Sequence, residues 1–296
     1  MVHSYLANAR ETRAVLERHG FSFKHRLGQN FLINDDVIGR ILGLAELDDS
    51  DVVYEIGPGI GTLTVAMLPH VRAVVAVEAD KTLPPVLADT CARDGEKLVL
   101  VQGDALRVTA EGLTTVAGES PTKLVSNLPY QVAATVILGT LQHMASVRRL
   151  VVMVQAEVAD RIAAAPGTKE YGAYTAKLAL WGRVTGRFEV GPGNFMPPPH
   201  VDSAVVRIDR IEPPAVDLEG VSLAIDAAFA QRRKTIRNSM AARGYHKDVL
   251  DQAFAAAGID PRARAEALST ADFVRLQEAL DAPGFGSRDF SDNLKR

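Results

Sequence analysis

The chain has 296 residues with a single cysteine, is 47% hydrophobic and 23% charged, and carries a formal net charge of −3 with a pI near 6.2. These values exclude a disordered chain, an intramolecular disulfide and a globally basic nucleic-acid binder. They fit one large or two ordinary domains in a reducing compartment.

The opening "MVHSYLANARETRAVLERHG" is a polar helical pattern without the apolar core of a signal peptide. Residues 1–26 are therefore expected to form an N-terminal helix or arm. No apolar run reaches the roughly 18–20 residues that span a bilayer, so a cytoplasmic protein with no membrane partner is expected. Between about residues 50 and 155, strand-like runs ("DVVYEIG", "VRAVVAVEAD", "KLVLVQGD", "LVSNLPY", "RRLVVMVQ") alternate with helical ones. The strands are continuous apolar runs, the pattern of a parallel sheet covered on both faces. Such alternation predicts a doubly wound α/β fold. Farther on, "AEVADRIAAAP" and "YGAYTAKLALWGR" predict helices, while "VTGRFEV" and "DSAVVRIDRI" predict antiparallel strands at one sheet edge. The stretch 211–220 reads as a linker. Helices are expected over about 221–242, 247–257 and 270–281. The domains are then 27–212 (α/β, mostly parallel sheet with an antiparallel edge) and 213–283 (small, all-α), with a disordered tail over 284–296.

Ligands of doubly wound folds sit at the carboxyl ends of the strands, so the residues ending each strand matter most. The first strand runs into "EIGPGIGTLT", whose glycines permit a tight turn and close approach of a ligand. The phosphate-loop ending is absent, and Pro58 removes an N–H donor that a pyrophosphate would use. About 20 residues on, the second strand ends in Glu78, where a carboxylate can accept from ribose hydroxyls; a solvated acid is the simpler alternative. The third ends in Asp104, suited to an adenine amino group or to capping the next helix. The fourth ends in Asn127. Together Gly57, Glu78, Asp104 and Asn127 suit an adenosine ligand without phosphates, and S-adenosylmethionine fits better than NAD.

"NLPY" (127–130) contains no acid, thiol or metal ligand. It suits a base amine as methyl acceptor, because an exocyclic adenine nitrogen is conjugated and poorly nucleophilic. Two acceptors that take its N–H groups draw it towards tetrahedral geometry. The Asn127 side-chain oxygen and the Leu128 carbonyl can be those acceptors. Pro129 keeps Leu128 extended, and Tyr130 can stack on a base that has left its helix. A turn with a buried tyrosine is the structural alternative.

"LGQNFL" (27–32), "EIGPGIGTLT", "VEAD", "GDAL", "NLPY", "NFMPPPHVDSAVVRI" and "AFAQRRKTIRNSM" occur in this order. Together they resemble the bacterial 16S rRNA adenine N6,N6-dimethyltransferases over roughly residues 20–280. The resemblance implies a Rossmann-like class I S-adenosylmethionine-dependent methyltransferase. It would place four methyl groups on two adjacent adenosines of the 3′-terminal hairpin of 16S rRNA, within a late precursor of the small (30S) ribosomal subunit. It implies donor contacts from Gln29, Asn30, Leu32, Gly57, Gly59, Glu78, Asp104, Ala105 and Asn127. It also implies that Asn127, Leu128, Pro129 and Tyr130 hold the target base, with Phe195 as a second aromatic wall. A core aromatic locked by prolines is the alternative for Phe195. The sequence departs from the family after NLPY, where "QVA" replaces the usual "NIS", and in the two prolines of "DKTLPP", which a first helical turn tolerates.

From Ala227 to Lys247 there is no acid, whereas Arg232, Arg233, Lys234, Arg237, Arg243 and Lys247 fall in the same stretch. In one continuous helix Ile225, Phe229, Ile236 and Met240 would form an apolar stripe. Arg232 would fall inside that stripe and be partly structural, snorkelling or paired with an acid. Arg233, Lys234 and Arg237 would lie beside it, available to phosphates. "RHGFSFKHRLGQNFL" mixes basic and aromatic residues and could close over the donor and touch RNA. The seven histidines and Cys91 show no zinc-ligand spacing, so no metal is expected, and a monomer is the default. The competing readings are a 23S rRNA adenine methyltransferase, a DNA adenine methyltransferase and a non-catalytic small-subunit assembly factor on the same fold.

Overall fold

A computed structural model describes residues 2–21 and 29–282. The chain divides into two compact units, one of Met1–Ala159 with Gly182–Arg210 and the other of Asp160–Trp181 with Ile211–Arg296.

The first unit is built on a seven-stranded sheet. Its strands are β2 (Val52–Ile56), β3 (Ala73–Glu78), β4 (Leu98–Gln102), β5 (Lys123–Asn127), β6 (Arg149–Gln155), β7 (Gly182–Val190) and β9 (Ser203–Arg210), and its order is β4-β3-β2-β5-β6-β9-β7. The first five strands of that order run parallel, while β9 pairs antiparallel with both β6 and β7. This is the expected mostly parallel sheet with an antiparallel edge. β2 and β5 are buried along almost their whole length, because helices cover both faces and leave no polar side. Strand order reverses between β2 and β5, so the crevice at their carboxyl ends is the topological switch point. A short pair, β1 (Phe31–Leu32) with β8 (Phe195–Met196), lies outside the main sheet.

The N-terminal helix α1 (Ala9–Arg18) forms as expected, capped by Asn8, whose side chain accepts from Glu11 N. It is an integral part of this unit. Leu6, Val15 and Leu16 bury against Phe31, Ile60, Leu83 and Val86. The His3 and Ser4 amides donate to Asp35, and the Tyr5 hydroxyl donates to the Thr90 carbonyl at 3.0 Å. Residues 22–28, part of the basic and aromatic stretch expected to close over a ligand, lie outside the described residues, as does the 284–296 tail. The two prolines of "DKTLPP" open helix α4 (Pro84–Thr90), where no intrahelical N–H is lost.

The second unit is helical, with α9 (Leu218–Phe229), α10 (Ile236–Ala241), α11 (Lys247–Ala257) and α12 (Thr270–Asp281). Residues 160–181, expected within the α/β domain, pack here instead. Tyr171, Ala176 and Leu180 join Ile225, Phe254 and Phe273 in one apolar core, and the Tyr171 hydroxyl donates to the Leu268 carbonyl at 2.9 Å. Burial of these side chains outweighs their position between strands in the sequence.

The single helix expected over 221–242 is two helices. Thr235 caps α10, accepting from Asn238 N, and the Ser239 hydroxyl donates to the Ala227 carbonyl at 2.7 Å while accepting from Gln231 N. These local bonds satisfy backbone groups flanking a sharp turn over 230–234. Ile225, Ile236 and Met240 are still fully buried, but from two helices and not from one stripe.

Candidate active site at the strand ends

The carboxyl ends of β2, β3, β4 and β5 open onto one cavity of about 210 Å³. Of the sequence-predicted residues, Gln29, Asn30, Leu32, Gly57, Gly59, Glu78, Asp104, Ala105, Asn127, Leu128, Pro129 and Tyr130 all line it. Phe195 does not. Pairing with Leu32 turns it into the core cluster with Met153 and Val205, where it is 3% exposed. Its expected place as an aromatic wall is corrected to that of a core residue.

The glycine loop after β2 needs its glycines. Gly57 and Gly59 have φ of +65° and +62°, a region L side chains rarely adopt. A Cβ on Gly59 would also lie 2.8 Å from Phe31 Cε1. The loop is bound to the next strand: Gly57 N donates to the Val77 carbonyl at 2.9 Å and Gly59 N to Glu78 Oε2 at 3.3 Å. Glu78 Oε1 accepts from Asp80 N at 2.7 Å. Burial pushes the Glu78 carboxyl above its ordinary range, and the amides that hydrogen-bond it pull the other way. Asp104 fulfils the capping alternative, accepting from Leu106 N at 3.0 Å, and keeps its half-exposed carboxylate on the cavity rim. Gln29 donates from Nε2 to Asp80 Oδ2 at 2.8 Å.

The acceptor motif is held tightly. Asn127 Nδ2 donates to the Asn30 carbonyl at 3.1 Å. A carbonyl can only accept, so this bond selects the amide orientation and directs Oδ1 away from Asn30. Leu128 N donates to the Met153 carbonyl at 3.1 Å. Among the described residues no donor takes Asn127 Oδ1 or the Leu128 carbonyl, so the motif presents two acceptors together. Tyr130 is partly buried, and desolvation raises its hydroxyl pKa.

Two lining residues escaped the sequence reading. Glu55, on β2, is fully buried and accepts from the Thr64 hydroxyl at 2.7 Å. Burial pushes its carboxyl up to about 8, with the nearby Glu78 adding to the rise. Thr62, 5% exposed, has a buried hydroxyl with no partner among the described residues. An acid on the strand before a glycine loop was a visible signal for Glu55; nothing marked Thr62. Among the described residues the lining holds Glu55, Glu78 and Asp104 but no lysine, arginine or histidine. Glu55 is largely protonated at neutral pH, so the acceptors for a ligand with hydroxyl and amine donors are Glu78 and Asp104, and the exposed Asp104 carboxylate disfavours phosphates. An orphan hydroxyl inside the same cavity suits a polar ligand as well. S-adenosylmethionine meets both conditions.

Glu55 makes a pH prediction. The unfolded chain releases this proton near the ordinary value of 4.5, the folded chain near about 8. Between these values the folded state binds more protons, so stability falls as pH rises through that window and levels off above it. Glu55→Gln removes that fall. Its melting temperature should gain on wild type from pH about 5 to about 8, for a difference on the order of 4 kcal/mol. Melting curves that stay parallel across the window would contradict the buried-acid account.

In the helical unit Arg232 and the three residues expected to meet phosphates separate. Arg233 and Lys234 are exposed in the turn after α9, with no acidic partner among the described residues. Arg237 instead forms a two-bond pair with Asp251, at 2.5 and 2.6 Å. Arg232 is structural through backbone and not through an acid, donating to the Lys169 and Tyr171 carbonyls at 3.1 Å each.

A family model described as ribosomal RNA adenine dimethylase matches residues 20–282. The ribosomal RNA small subunit methyltransferase A of Acidothermus cellulolyticus is 42% identical over 277 residues, covering 92% of this chain and 93% of that protein. The protein of the same name from Nocardia farcinica is 44% identical over 275 residues, covering 90% and 92%. Among solved structures, a dimethyladenosine transferase from Plasmodium falciparum shares the fold, with a TM-score of 0.75 at 23% identity over 84% of this chain and 97% of that one. The 23S rRNA methyltransferase ErmE matches with a TM-score of 0.64 at 25% identity over 86% and 100%.

Proposed function

The chain belongs to the ribosomal RNA adenine dimethylase family, and from that premise we propose that it dimethylates adenosines of 16S rRNA with S-adenosylmethionine as methyl donor. The observation that carries the site assignment is the pair of acceptors, Asn127 Oδ1 and the Leu128 carbonyl, that no described donor takes, on residues lining an acid-bearing cavity with no basic side chain among the described residues.

When bound, S-adenosylmethionine supplies an electrophilic methyl group on a sulfonium. Glu78 accepts from its ribose hydroxyls and Asp104 from its adenine amine. The loop of Gly57 and Gly59 lets the backbone approach closely, and Gln29, Asn30, Leu32 and Ala105 complete the wall. Asn127 Oδ1 and the Leu128 carbonyl take the two N–H groups of the target adenine and turn its lone pair outward from the ring conjugation. Pro129 fixes that carbonyl, and Tyr130 stacks on the flipped base. The chain's contribution is positioning and preorganised dipoles. The targets are two adjacent adenosines of the 3′-terminal hairpin, in a late precursor of the small subunit. The protein acts as a cytoplasmic monomer.

This reading is tested by nuclease mapping of 16S rRNA from small subunits that lack these groups, after incubation with protein and donor. Dimethyladenosine should appear at two neighbouring positions near the 3′ end. Modification elsewhere in 16S rRNA would overturn the target assignment.

Arg233 and Lys234 supply phosphate contacts in this reading. Replacing both by alanine should weaken rRNA binding and reduce the slope of log K against log salt by about 1.5–2. Arg232→Ala should instead lower the melting temperature, because it orphans two carbonyls. An unchanged slope for the double variant would refute the phosphate assignment.

A further inference from the structure

The NLPY motif is anchored at three points, each on a residue distant in sequence. Asn127 ends β5, pairs with Met153 of β6 and bonds the Asn30 carbonyl. Leu128 N is held by the Met153 carbonyl. The Tyr130 hydroxyl shares a 2.6 Å hydrogen bond with the hydroxyl of Ser203, 73 residues away.

Ser203 is well placed to act as a fixed post. It opens β9, paired with Gln155 of β6 on one side and Val190 of β7 on the other, and it is 0% exposed. Its backbone cannot shift without disturbing two strand ladders. Tyr130, by contrast, sits in a turn after β5 with its ring on the cavity rim. A turn by itself leaves a tyrosine ring a choice of staggered χ1 wells. A hydrogen bond at the far end of the ring selects one χ1 well and so fixes where the ring stands.

We infer that Ser203 is a positioning residue for methyl transfer, fixing through its hydroxyl the place at which the Tyr130 ring stands for the target base to stack on. The inference rests on the function proposed above. It explains why an aromatic on a turn can orient a planar base as closely as Asn127 and Leu128 orient its amine. A base free to rock would carry its nitrogen off the line of transfer, and such misplacement is costly to the chemical step.

The test is a double-mutant cycle on transfer to unmethylated small subunits, with Ser203→Ala, Tyr130→Phe and the pair. Each single variant should lose about tenfold in kcat/KM, with most of the loss in kcat. The double variant should lose no more than the worse single, because both changes remove one bond. Donor affinity by calorimetry should stay within about twofold of wild type. Wild-type kcat/KM in Ser203→Ala, measured below its melting temperature, would overturn the inference and leave a merely structural serine. Losses that multiply in the double variant would overturn it too. If Ser203→Ala does not fold, Tyr130→Phe decides alone: wild-type kcat/KM there removes the hydroxyl from the account. A wild-type protein that methylates no small subunit fails the functional reading itself, and the inference with it, an outcome visible before any variant is made.

Discussion

Asn127→Ala is expected to lose methyl transfer by about 10²–10³-fold in kcat while donor affinity changes little. The Asn30 carbonyl holds the Asn127 amide nitrogen and so commits Oδ1 to the acceptor role. Alanine removes that oxygen and leaves the Leu128 carbonyl as the one acceptor for an amine with two N–H groups. A singly held adenine amine stays closer to the plane of its ring, with its lone pair still conjugated. Donor binding is spared because Glu78, Asp104 and the glycine loop stay in place. Single-turnover transfer at saturating donor reads the first effect and calorimetry the second. Undiminished methylation would refute the acceptor role. Loss of both transfer and donor binding would make Asn127 chiefly a donor-site residue.

Glu78→Ala should act on the other side of the cavity, weakening donor affinity by about 10²-fold. A carboxylate accepting from two hydroxyls makes two charge-assisted bonds, each worth about 1.5–3 kcal/mol, of which solvation of the free groups returns a part. The change also removes an acceptor from Gly59 N and Asp80 N, so the glycine loop keeps only the Gly57 N bond to the Val77 carbonyl as its described tie to β3. Transfer should recover substantially at high donor concentration, because Asn127 and Leu128 are untouched. Calorimetry showing wild-type affinity would contradict the ribose assignment.

Much of the α/β unit was legible because β2, β3, β5 and β6 are buried on both faces and read as nearly unbroken apolar runs. The rim followed from one rule, that ligands gather where parallel strands end, and Gly57, Glu78, Asp104 and Asn127 do line one cavity. What escaped depends on contacts distant in sequence. Ser203 meets Tyr130 only through the antiparallel return of β9. Phe195 read as a site aromatic, yet its pairing with Leu32 turns it into the core. The basic segment misled through periodicity. A 100° spacing assumed one helix, whereas Thr235 and Ser239 had the chemistry to cap and bridge a break. That break changes which cations face outward. Arg237 meets Asp251 on the next helix, a partner that lies outside the acid-free stretch. Segment 160–181 joined the helical unit through the burial of Tyr171, Ala176 and Leu180, which strand and helix patterns alone do not encode.

The central claim is transfer of methyl groups to adenosines of the small subunit, and the most direct measurement follows the label. Tritiated S-adenosylmethionine is incubated with the protein and, in parallel, small subunits lacking these groups, naked 16S rRNA, intact large subunits and duplex DNA. The account predicts tritium in small subunits, recovered as dimethyladenosine, and none in large subunits or DNA. Label in large subunits or DNA would contradict the substrate, and a protein that binds the donor yet labels nothing would contradict the enzyme.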